Sequence, residues 1–168
     1  MDESIGIFRL FCRSIQRELT INQIAKATKK SYSFTNRIVK ELIHKDLLAA
    51  KTIGHAILCK AQYKNNIARQ YLALASALEA YQELQQFSVE KQKRIATILA
   101  LVQQHLLTAV LIQGQLYIIQ HDDTTIKGEF QVISRVHFKE FVRQHHIDQM
   151  AIIAGYETFW RLVGEDFE

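Results

Sequence analysis

The chain of 168 residues has no proline, so the ends of its elements have to be read from capping residues and glycine. No run of about 18 uncharged apolar residues occurs, the length a membrane-spanning helix needs, and no such helix is expected. The opening MDESIGIFRLFCRSIQR carries charge too early and too often for a secretory leader. The cytoplasm is the expected compartment. Cys12 and Cys59 are the only cysteines, too few for a disulfide scaffold and not spaced as a zinc site, so both are expected to be reduced thiols in or near the core. Acidic residues are scarce in the first third. Residues 1–62 hold eleven Lys and Arg against five Asp and Glu, a balance of +6, whereas residues 63–168 hold ten against twelve, or −2.

Apolar residues make up 48% of the chain, enough for one large domain or two small ones, each with its own core. A basic head on a mildly acidic body suits a nucleic-acid-binding head joined to a body with another task.

Ile5, Phe8, Leu10, Phe11 and Ile15 recur at helical intervals and predict a first helix over residues 4–16. Thr20 with Gln23 forms a capping box, in which the hydroxyl accepts from an orphan backbone amide and the glutamine reaches back. Behind it, Ile21, Ile24 and Ala25 predict the buried side of a helix over residues 21–28. Ser31 can cap a third helix whose Val39, Leu42 and Ile43 face inward and which ends around Lys45 and Asp46. Two short runs, LLAAKTI and AILCKA, then meet at Gly54-His55, where glycine can take the positive φ of a tight hairpin. Residues 63–86 predict one long helix, and VEKQKRIATILALVQQHLL after Ser88 another. The period then changes. TAVLI and QLYII, parted by Gln113-Gly114, read as strands, as do FQVIS and QMAIIA; RVHFKEFVRQH and YETFWRLVGE read as helices.

The stretch LTINQIAKATKKSYSFTNRIVKELIHKDLLAA and the hairpin after it resemble the winged helix-turn-helix domain of MarR-like and ArsR-like transcription regulators over residues 4–61. The resemblance implies an α+β chain. A winged helix-turn-helix is expected at 1–62, and the periodicity of the rest predicts a connecting helix at 63–86, the expected dimerisation element, and a small C-terminal α/β domain at 87–168 that senses or dimerises. The resemblance also implies a DNA-binding regulator that works as a homodimer, with no cofactor and an effector, if any, unknown. Asp46 stands where many relatives have glycine, and aspartate tolerates left-handed backbone better than most residues.

A recognition helix presents hydrogen-bonding side chains from its amino-terminal half to base edges in the major groove of double-stranded DNA. Ser31, Tyr32, Ser33, Asn36, Arg37 and Lys40 are the candidates on the third helix. Asn36 can bond adenine in bidentate fashion and Arg37 guanine. Lys29, Lys30, Lys40, Lys51 and Lys60 suit phosphates, and His55 at the wing tip suits a minor groove. A small reader of this kind needs two copies for specific binding. The long helix is the expected contact, through Leu72, Leu74, Leu78 and Tyr81. The head is expected to close its own core with Phe8, Phe11, Ile24, Val39, Leu42 and Leu48.

The C-terminal part, ending IIAGYETFWRLVGE, resembles the nucleotidyltransferase-like domains fused to some archaeal winged-helix proteins. The catalytic version needs Gly-Ser after its first strand and two carboxylates at i and i+2, which a strand turns to one face so that they share a magnesium ion. Here the turn is Gln113-Gly114-Gln115, and the nearest carboxylates, Asp122 and Asp123, are adjacent. No transferase site carries over, and the chain is not expected to be an enzyme. His145-His146 and His121-Asp122-Asp123 are expected to be solvated surface, since contiguous histidines do not converge on one ion. Phe138, Phe141, Phe159 and Trp160 are expected in the core. Two other readings stay open: a nucleotidyltransferase-like enzyme, and an adaptor whose winged helix binds protein.

Overall fold

The computed structural model describes residues 3–13, 15, 17–121, 128–145 and 147–167. Its first part comprises α1 (Glu3–Phe11), β1 (Leu19–Thr20), α2 (Ile21–Thr28), α3 (Tyr32–His44), β2 (Leu48–Ile53) and β3 (Ala56–Ala61). The capping box forms as read: Thr20 Oγ1 accepts from the Gln23 amide at 3.2 Å, and the Thr20 amide donates to Gln23 Oε1 at 2.8 Å. Lys29 ends α2 in the left-handed conformation (φ 56°), and Ser31 caps α3 by accepting from the Phe34 amide. Asp46 also turns left-handed (φ 55°), as its place at the end of α3 requires. Ile53 pairs with Ala56 across a two-residue turn in which Gly54 has φ 57°. β1 adds to the far side of this hairpin, giving an antiparallel sheet of order β1-β3-β2. Three helices with a hairpin of this register have the arrangement of a winged helix-turn-helix.

The first helix is shorter than its apolar spacing predicts. α1 stops at Phe11, and Cys12 and Arg13 lie in a turn. Ile15 is buried from beyond the helix, and its carbonyl accepts from the Tyr63 hydroxyl. Burial at the expected interval therefore did not require the helix to continue.

The rest comprises α4 (Asn66–Leu84), α5 (Val89–Val102), β4 (Leu106–Ile112), β5 (Gln115–Gln120), β6 (Gln131–Ser134), α6 (Phe138–His145), β7 (Met150–Ala154) and α7 (Tyr156–Phe167). The four strands form a sheet of order β6-β5-β4-β7, with β5 and β6 parallel and the other pairs antiparallel. Val110, Ile112, Tyr117 and Ile119 join a core with α4, α6 and α7. Ala109, Leu111, Leu116 and Ile118 join another with α5. Both faces are covered, so the strands read as unbroken apolar runs and not as an alternation. α5 ends at Val102, earlier than predicted, because Leu106 and Leu107 enter β4. The helix predicted from Arg135 opens with a single 3₁₀ turn, where Ser134 Oγ bonds His137 Nδ1 at 2.8 Å in place of a backbone amide. No described helix is long and apolar enough to cross a membrane.

The head does not close its core alone. Phe8 stacks on Tyr71 of α4 with centroids 5.0 Å apart. Arg9 Nε and Arg13 Nη2 donate to the two oxygens of Glu79 at 2.6 and 3.0 Å. Burial works to raise the Glu79 carboxyl, but hydrogen bonds and charge from Arg13 and Arg9 outweigh it and leave its pKa lowered. Deeper in, Trp160 Nε1 donates to Ser76 Oγ at 2.9 Å, Ser76 to Cys12 Sγ, and Cys12 to the Leu72 carbonyl. Burial pushes the Cys12 thiol up to about 12, which keeps the proton that this last bond uses. One apolar cluster thus runs from Phe8 through Leu72 and Tyr63 to Trp160.

Gly155, between β7 and α7, has φ 65°, and a Cβ there would clash with the Leu107 carbonyl oxygen. Gly155→Ala combines a left-handed alanine with overpacking and should cost about 2–5 kcal/mol, read as a lower urea midpoint at unchanged slope. An unchanged midpoint would contradict the close approach of α7 to β4.

Candidate nucleic-acid interface

α3 buries Thr35, Val39 and Leu42. The opposite side, at the complementary positions of a 3.6-residue period, presents Ser33, Arg37, Lys40 and His44, all exposed. Tyr32 is 55% exposed at the helix start, beside exposed Ser31, Lys29 and Lys30. Asn36 is half-buried, on the flank of this ridge and not at its crest. Phe34, also half-buried, holds two cations near its ring, Lys30 Nζ at 5.7 Å and Arg37 Cζ at 5.5 Å from the centroid. Lys30 also pairs with Glu3 at 2.9 Å. Both groups are substantially exposed, so the pair is worth little and can be exchanged for another anion. Lower on the helix, Lys45 is held by Glu41 at 2.6 Å.

From Ala50 to Ile53 every residue of β2 is exposed, as are Gly54, His55 and Ala56. The outer half of the hairpin therefore stands clear of the core, carrying Lys51 and His55. Lys60 lies on β3, back from the hairpin tip. It is half-buried, with its ammonium 5.7 Å from the centre of the Tyr63 ring. His44 was missed on the sequence, although it lies one turn beyond Lys40 on the same ridge and the i+4 spacing would have found it.

The expected dimer contacts on α4 divide. Leu72 is fully buried and so unavailable to a second chain, whereas Leu78 is half-buried, packed on one side against the same core. Leu74 and Tyr81 are 48% and 66% exposed, and Ile67, one heptad before Leu74, is 56% exposed. The exposed residues of α4 are Asn66, Ile67, Gln70, Leu74, Tyr81 and Gln82. None is charged.

In the C-terminal part, Phe138, Phe141, Phe159 and Trp160 are core residues, as expected. His145 is half-buried, with Phe141 and Tyr117 rings 4.9 and 5.3 Å from its own, so it packs more than solvated surface would. Asp122, Asp123 and His146 lie outside the described residues. The β4–β5 turn read as the counterpart of a catalytic Gly-Ser is a two-residue hairpin turn with positive φ at both Gln113 and Gly114.

No family model matches the chain, and no curated protein matches it. Among solved structures, a zinc-responsive MarR family member from Lactococcus lactis, ZitR, is similar at 19% identity and a TM-score of 0.39. The match covers 62% of this chain and 74% of that one. A likeness this low decides nothing about fold or chemistry.

Proposed function

We propose that the protein is a sequence-specific, DNA-binding transcription regulator that acts as a homodimer in the cytoplasm. The observation that carries this reading is the exposed ridge of Ser33, Arg37 and Lys40 on α3, next to a hairpin whose outer half makes no core. A helix enters the major groove with such a ridge, and a free-standing hairpin suits the adjacent groove or backbone. Arg37 reads guanine, Asn36 reads adenine from the flank, and Ser31, Tyr32 and Ser33 bond base edges or backbone at the helix start. Lys29, Lys30, Lys40 and Lys51 neutralise phosphates, which adds affinity and salt dependence without sequence information. His55 reaches the minor groove. Dimerisation through the uncharged face of α4 is supported by the depletion of charge that marks interface cores. The C-terminal part senses an effector or reinforces the dimer.

The test is fluorescence anisotropy on duplexes selected from a random library. Arg37→Ala and Asn36→Ala should each weaken the selected site by about 5- to 150-fold, the equivalent of about 1–3 kcal/mol per bidentate pair. Each should relax preference at one or two positions and leave thermal stability nearly unchanged. Equal loss on every sequence would contradict base reading. Failure to select any duplex would favour the protein-binding adaptor.

A further inference from the structure

A cavity of about 660 Å³ opens between α5, the β4–β5 turn and the segment that leads into β6. This is within the roughly 300–1,000 Å³ of small-molecule sites. The apolar part of its lining is Ile95, Leu111 and Leu116, all buried, with half-buried Ile98 and Phe130. Charge is confined to the rim. Arg94 is paired with Glu129, and Glu90 is exposed. Lys91 differs from both. It is half-buried, its ammonium lies 4.0 Å from the centre of the Phe87 ring, and it stands 3.0 Å from where a Cβ on Gly114 would be, over the β4–β5 turn. Among the described residues no carboxylate pairs with it. Ser88, which caps the 14-residue α5, lines the same opening, so the positive end of that helix adds to the field of Lys91.

We infer that this cavity binds a small amphipathic anion, with an apolar body against Ile98, Leu111 and Leu116 and one carboxylate- or sulfonate-like head on Lys91. An apolar lining with one cation at its mouth, paired with no described carboxylate, favours that combination over a neutral apolar ligand, which would leave Lys91 unused. It also disfavours a polyanion, which Glu90 and Glu129 would repel. The site stands independently of the DNA reading.

The full chain would be titrated with 1-anilinonaphthalene-8-sulfonate and with its uncharged relative N-phenyl-1-naphthylamine, following probe fluorescence. One sulfonate per chain is expected. Lys91→Gln should weaken the sulfonate about tenfold and leave the amine within about twofold, while Ile98→Glu should abolish both. Should Ile98→Glu lower the melting temperature appreciably, Ile98→Gln replaces it, with the same loss expected at smaller size. Sulfonate binding unaffected by Lys91→Gln, or equal loss of both probes, would overturn the assignment. So would binding that survives at Ile98 but disappears in Leu74→Glu, which would put the probe on α4.

Discussion

Leu74→Glu should turn a dimer into a monomer and weaken binding to a two-half-site operator by about 10²–10⁴, the avidity that linking two readers commonly supplies. Leu74 is at the middle of the uncharged face of α4, with Ile67 and Tyr81 seven residues to either side. In a symmetric pair a central glutamate is buried without a partner and meets its own copy, so the cost is counted twice. The folded monomer should hardly notice, because the side chain is already half in water. Halving the phosphate contacts should also reduce the slope of log affinity against log salt roughly in proportion. Sedimentation of both proteins, with anisotropy at two salt concentrations, checks each statement. A wild-type monomer, or a variant that remains dimeric, would remove α4 as the interface.

Trp160→Ala should lose about 3–5 kcal/mol, the range for truncating a buried tryptophan, and its effect should extend into the head. Trp160 is fully buried and stacks on Tyr63 with ring planes 8° apart, and its indole N–H is the first donor in the chain through Ser76 and Cys12 to α4. Removing it empties a cavity, releases the ring that holds Ile15 and leaves the Ser76 hydroxyl without its donor. For a chain of this size the melting temperature should fall by roughly 6–20 °C. Amide exchange in α1 should accelerate along with that in α7. Trp160→Phe keeps most of the packing and loses only the N–H, so its loss should be much smaller. If α1 kept its protection in Trp160→Ala, the coupling of Trp160 to α1 through Ser76 and Cys12 would be overturned, and α1 would be held by α4 alone or by the head's own core.

The sequence by itself determined the features whose partners lie within a few residues. The Thr20–Gln23 box, the Ser31 cap, the left-handed Asp46 and the two-residue wing turn were all legible. Each satisfies its own backbone groups locally, so residue type and spacing are enough. The polar crest of α3 was legible for the same reason, since a 3.6-residue period divides it from Thr35, Val39 and Leu42. Only the tertiary structure decided where α1 stops, which leucines of α4 are spent on the chain's own core, and that β6 lies parallel to β5. It alone showed that Lys60 rests on Tyr63 and that the head shares its core with α4 and α7. These outcomes depend on pairs such as Tyr63 with Ile15, or Trp160 with Ser76, which are 48 and 84 residues apart. An apolar position announces in sequence that it will be buried, but not against what. The cover is chosen by packing among all the elements at once, and no local spacing records it.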